Sequence, residues 1–125
     1  MTPNTSLERT RSYLFMAVLL LAVAGCGDEL RGPEAVVTNH SDHALSNVVL
    51  SGSGFTSHIG RMTARSGESV TLHPIGESSL RVTFEVDGRQ IDTGERAYFE
   101  NSPRYAISVD IDRELNVTVS SVLKK

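Results

Sequence analysis

Two hydropathy patterns divide the chain. From Tyr13 to Ala24 twelve residues are apolar without a break, whereas from Glu34 onward apolar and polar residues alternate in short runs separated by turn formers. Alternation of period two marks strands with one buried face. Its recurrence at short spacing predicts an all-β fold, an antiparallel β-sandwich, immunoglobulin-like or related, of seven to eight short strands over residues 34–125. No stretch of that region predicts a helix.

The clearest strand is Leu80 to Val86, where Leu80, Val82, Phe84 and Val86 share one face and Arg81, Thr83 and Glu85 the other. It runs into Asp87-Gly88, residues that accept the positive φ angles of a type I′ turn, so Arg89 to Ile91 is expected to return antiparallel beside it. Tyr105, Ile107, Val109 and Ile111 give a second clean alternation. Further strands are expected over Ala35 to Asn39, Leu45 to Leu50, Phe55 to Ile59 with a break at Gly60, Val70 to Leu72, Arg96 to Glu100, and Leu115 to Val119. Polar clusters supply the connections: Asn39-His40-Ser41-Asp42, a flexible loop at Ser51-Gly52-Ser53-Gly54, Ser66-Gly67-Glu68 leading into the fourth strand, a turn near Thr93-Gly94, and further turns at Asn101-Ser102-Pro103 and Asp112 to Glu114. Pro74 has no N–H to give to a ladder and closes the fourth run.

The apolar run needs a different reading. As a helix, twelve residues reach about 18 Å against roughly 30 Å of bilayer hydrocarbon. Arg9 and Arg11 precede the run and small residues follow it, which is the order of a cleaved signal peptide. Ala22-Val23-Ala24 would serve ordinary signal cleavage. Val23-Ala24-Gly25-Cys26, ending on the single cysteine of the chain, resembles the lipobox of bacterial lipoproteins. The resemblance covers residues 9–26. It implies that the Cys26 thiol carries diacylglycerol, that the leader is cut just before it, and that the freed amine is acylated too. Two or more acyl chains give stable anchoring where one is marginal.

The organisation expected is a signal peptide over 1–25, a lipidated cysteine and short tether over 26–33, and a β-sandwich domain over 34–125. Gly27 to Pro33 is charged and rich in turn formers, and its seven residues extend at most about 25 Å. The domain would then face the periplasm close to its membrane. In enteric lipoproteins an Asp directly after the lipidated cysteine favours the inner membrane; Gly27 stands there, which points to the outer one.

Charge narrows the partners. The full chain carries −3; loss of Glu8, Arg9 and Arg11 leaves ten basic against fourteen acidic residues, a net −4. Basic residues are scattered, without the stripe or interleaved aromatics that nucleic acid requires. With one cysteine there is no internal disulfide, so an apolar core must hold the mature domain of about 100 residues together.

Candidate chemistry is sparse. His40, His43, His58 and His73 lie in the first half of the domain, and His40, Asp42 and His43 share one polar segment that could ligate zinc or copper. No paired-His helix motif, nucleophile elbow or phosphate loop occurs, so neither a catalytic residue nor a cofactor is expected. Ser51-Gly52-Ser53-Gly54 resembles a Ser-Gly-rich loop of periplasmic lysozyme-inhibitor lipoproteins over those four residues only. Asn39-His40-Ser41 and Asn116-Val117-Thr118 fit the glycosylation sequon but read more simply as turn and strand. The function expected is a non-enzymatic structural or protein-binding role at the cell envelope, through an unidentified protein partner. The alternatives are a periplasmic metal-binding protein and an inhibitor of an envelope-attacking hydrolase such as lysozyme.

Overall fold

The computed structural model describes residues Gly32–Lys125; the leader, Cys26 and the tether up to Arg31 lie outside the described residues. Eight strands follow in order: β1 (Glu34–Asn39), β2 (Leu45–Gly52), β3 (Phe55–Met62), β4 (Ser66–Thr71), β5 (Ser78–Val86), β6 (Arg89–Phe99), β7 (Tyr105–Ile111) and β8 (Val117–Leu123). They form two four-stranded sheets, β4-β1-β7-β8 and β3-β2-β5-β6, packed face to face as an all-β antiparallel sandwich. Successive strands alternate in direction, so neighbours in a sheet run antiparallel with one exception. β1 and β7 point the same way and pair in parallel, from Glu34 beside Ala106 to Asn39 beside Ile111.

The alternation predicted from the sequence selects the core. Ala35 and Val37 of β1, Leu45, Val48 and Leu50 of β2, Leu80, Val82, Phe84 and Val86 of β5, and Ile107, Val109 and Ile111 of β7 are all buried between the sheets, with Met62, Leu72 and Phe99. Phe55 meets Phe99 edge-on, ring centroids 6.3 Å apart. The β5–β6 hairpin turns at Asp87 (φ 48°) and Gly88 (φ 76°), both positive as a type I′ turn demands.

Several boundaries differ from the expectation for physical reasons. Thr93-Gly94 is not a turn, because β6 runs on through it. Between the pairs Thr83–Asp92 and Arg81–Glu95, β6 carries one more residue than β5, and a second extra residue falls between Leu80–Arg96 and Ser78–Phe99. Gly94 (φ 68°) and Ala97 (φ 63°) absorb these bulges. At the first, Thr93 Oγ1 accepts the Val82 N–H at 3.0 Å, so a hydroxyl fills the place of a ladder carbonyl. Ser51-Gly52-Ser53-Gly54 is a tight hairpin rather than a flexible loop: Ser51 and Gly52 belong to β2, and β3 starts at Phe55. β3 passes through Gly60 (φ 85°) at an irregularity opposite Val48. Ser66-Gly67-Glu68 lies within β4, where it pairs with β1, and Leu115 (φ 68°) sits in the turn before β8. Gly32 and Pro33, assigned to the tether by sequence, are buried, and Pro33 O accepts the Leu72 N–H at 2.8 Å.

The strand directions sort the connections into two ends. The β1–β2, β3–β4, β5–β6 and β7–β8 connections lie at the end remote from Gly32. The β2–β3, β4–β5 and β6–β7 connections and the last residues lie at the Gly32 end.

Candidate functional site

The remote end gathers the polar segment that follows β1. Its organiser is Asn39, fully buried at the end of β1. Asn39 Nδ2 donates to His43 O at 2.9 Å and to Thr63 O at 3.0 Å. Asn39 Oδ1 accepts from Ser41 N at 3.0 Å and from Ser41 Oγ at 2.7 Å. Ser41 is buried as well, and its hydroxyl accepts the His43 N–H at 3.2 Å. The backbone is held further by His40 N donating to Ile111 O at 2.8 Å and Arg65 N to Ser41 O at 3.2 Å. A short polar side chain bonding the backbone two residues on is the Asx turn that an Asn-x-Ser sequence favours. The segment is therefore pinned to β7 and to the β3–β4 connection.

With the backbone fixed, the side chains of His40, Asp42 and His43 reach separate partners. His40 Nε2 lies 3.3 Å from Asp110 Oδ1 on β7, His43 Nδ1 3.0 Å from Asp87 Oδ2 in the β5–β6 turn, and Asp42 Oδ1 2.7 Å from Arg65 Nη2. The three residues weighed as metal ligands thus face three different partners. Their common segment does not bring them together. His58 stands on the outer face of β3 beside Val49, and His73 is at the Gly32 end. Among the described residues no group of three or more His, Cys, Asp or Glu side chains is placed to hold a metal ion.

Two open hollows flank this surface. One of about 300 Å³ is lined by Thr38, Asn39, His40, Arg65 and Arg113 and has a basic rim. The other, about 390 Å³, lies along Ala44, Ser46 and Glu85 to Gln90, with Glu85 and Asp87 at its edge. Both are open to solvent. Exposed polar and charged pairs of this kind contribute at most about 1 kcal/mol each to stability.

Arg81, Asp92 and Tyr98 have shifted acidity, Arg81 raised by its bond to Asp92. On the outer face of β5 and β6, Arg81 Nε donates to Asp92 Oδ1 at 2.9 Å; this bond, with the Gly94 N–H, holds the Asp92 carboxyl below its ordinary range. At the Gly32 end Tyr98 Oη donates to Glu100 Oε1 at 2.6 Å, and that carboxylate pushes the phenol well above its usual range.

No family model matches this chain. No curated protein matches it either. Among solved structures the chain is similar to the NMR structure of a protein from Eubacterium rectale, at a TM-score of 0.48 and 10% identity over 77% of this chain and 91% of that one. A likeness of that size carries no functional argument.

Sequence reasoning singled out the histidines, read Asn39 only as a turn residue and did not name Arg65, though these two hold the segment in place. The signal for Asn39 was there in its spacing to Ser41. That for Arg65 was not, since it depends on β3 and β4 returning the chain to β1.

Proposed function

We propose that this protein is a lipid-anchored component of a bacterial cell envelope, acylated at Cys26, whose β-sandwich has a non-enzymatic structural or protein-binding role facing the periplasm. The observation that carries this reading is Val23-Ala24-Gly25-Cys26 at the end of a twelve-residue apolar run preceded by arginines. The remote end of the sandwich supports a binding role: β1 runs six residues, about 20 Å, from the buried Gly32 and Pro33 to the His40–His43 segment, and that pinned surface of polar and charged groups is suited to meeting a partner protein. Gly27 directly after the cysteine favours the outer membrane.

The test is Cys26→Ser in cells of a lipoprotein-processing bacterium. Acyl labelling should vanish and the protein should leave the membrane fraction; a variant that is still labelled would refute lipidation at Cys26, and one that stays attached without label would mean that the uncleaved leader is the anchor instead. Density separation of the two membranes then decides the address.

A further inference from the structure

Among the described residues four strands lie at sheet edges: β4 and β8 in one sheet, β3 and β6 in the other. Exposed edges invite pairing with another strand, and proteins block them with charges, bulges, glycine or proline. Three of the four carry such devices. β3 has His58, Arg61 and the Gly60 irregularity; β4 is short with Gly67 and Glu68; β6 has two bulges and carries Arg89, Asp92, Glu95 and Arg96. β8 has none. Its sequence, Val117-Thr118-Val119-Ser120-Ser121-Val122-Leu123, contains no charge, glycine or proline and pairs with β7 without a bulge. Val122 and Leu123 are also 61% and 50% exposed, two large apolar side chains on one edge strand.

The groups offered by that edge follow from the ladder. Lys124 N donates to Arg104 O at 2.7 Å and Asp112 N to Asn116 O at 3.0 Å, so the even-numbered residues of β8 turn their N–H and C=O towards β7. Hydrogen-bonding direction alternates along a strand. Those of Val117, Val119, Ser121 and Leu123 therefore point away from the sheet, and among the described residues no strand receives them.

We infer that β8 is a dimerisation edge, and that its occupant is β8 of a second copy of this chain, antiparallel about a two-fold axis at Ser120. In that register Val119 faces Ser121 of the second copy and Val117 faces Leu123, so the four residues with outward groups pair among themselves in both chains. A shift by one residue would oppose outward groups to inward ones, and a shift by two would leave an end unpaired. The side chains agree: exposed Leu123 meets Val117, and exposed Val122 meets Thr118, in each case a β-branched neighbour. Charge agrees as well, because the axis carries Lys124 and Lys125 of one copy towards the Asp112-Arg113-Glu114 turn of the other, where two acids outnumber one base. The result is a continuous eight-stranded sheet, β4-β1-β7-β8 joined to its two-fold mate. This inference does not depend on the anchor at Cys26.

Residue 120 decides the matter, because only there does a residue face itself. Its two copies form a non-hydrogen-bonded pair with Cα atoms about 4.5 Å apart, inside the range of about 4.4–6.8 Å that a disulfide accepts. Residue 118 is opposite residue 122, which separates its two copies by about 13 Å. Full-length chain carrying Ser120→Cys, oxidised in cells and run without reductant, should give a dimer band. Thr118→Cys and the wild type, whose Cys26 sets the background, should not. Ser121→Pro added to Ser120→Cys removes an outward N–H without touching the β7 ladder and should abolish the dimer. Absence of the Ser120→Cys dimer, equal crosslinking at 118 and 120, or a Ser120→Cys band containing a different protein would each overturn the proposal.

Discussion

Replacing Asn39 with alanine deletes the amide that joins the end of β1 to the His40–His43 segment and to Thr63. The side chain is wholly buried and makes four hydrogen bonds, all between 2.7 and 3.0 Å. Each intramolecular hydrogen bond is worth about 1 kcal/mol net, and a buried partner left unpaired costs about 1–3 kcal/mol. The Thr63 carbonyl and the Ser41 N–H lose their partner, and the His43 carbonyl keeps only the Ser41 hydroxyl at 3.3 Å. Loop relaxation lets water reach some of them, so the loss should be about 3–4 kcal/mol, a large share of the roughly 5–15 kcal/mol that holds a domain of this size. Urea unfolding is the assay, with the midpoint falling and the slope unchanged. Asn39→Asp refines the test, because it retains the acceptor for Ser41 but sets a buried carboxylate against two carbonyls. Burial and those oxygens favour the protonated form, raising the carboxyl's folded pKa above its unfolded value. The variant should therefore gain stability as pH falls from neutral and lose it as pH rises through that raised value. A loss under about 1 kcal/mol for Asn39→Ala, or no pH dependence for Asn39→Asp, would refute the role assigned to this amide.

Three more outcomes are expected. Phe84→Ala empties the centre of the core, where the ring is 1% exposed, and should cost about 3–5 kcal/mol in the same assay. At Gly52→Ala the added Cβ would stand 2.6 Å from Ser79 O, against the Phe55 ring; a lowered unfolding temperature is expected, and an unchanged one would mean that the β2–β3 hairpin gives way freely. Asp92, whose acidity is strengthened in the fold, contributes stability above its unfolded pKa of about 3.9 and loses it as pH falls through the lower folded value. The stability difference between wild type and Asp92→Asn should then be constant near neutrality and shrink in acid, which thermal unfolding across pH would reveal.

What was legible in the sequence was whatever a single strand dictates for itself. β5 and β7 bury one face and expose the other, so their alternation identified both, and Asp87-Gly88 specified its turn because two positive φ angles restrict the residues that fit. The errors arose where a second strand decides. Thr93-Gly94 has the composition of a turn, yet β5 holds it in the ladder by giving Val82 N–H to the threonine hydroxyl. Ser66-Gly67-Glu68 looks like a connection and becomes strand because β1 lies beside it. Val122 and Leu123 belong to a strand that the apolar spacing ended at Val119. At the remote end, the histidines were visible as residue types but their partners, Asp110 and Asp87, are 70 and 44 residues away in the chain, and no local pattern announces such pairs.

The parallel pairing of β1 with β7 governs the order in which the protein can assemble. The sheet β3-β2-β5-β6 consists of antiparallel neighbours, two of its pairs joined by tight hairpins, and its loops close early. β1 is the first strand of the domain to be synthesised, but one of its neighbours is the seventh. Ala35 and Val37 must therefore wait uncovered until Ile107 and Val109 arrive, and contacts of such long sequence separation slow folding. Pulse-labelled hydrogen exchange should find the amides of β2 and β5 protected before those of β1. The interval before β7 arrives is then also the one in which β1 is most open to capture by a chaperone.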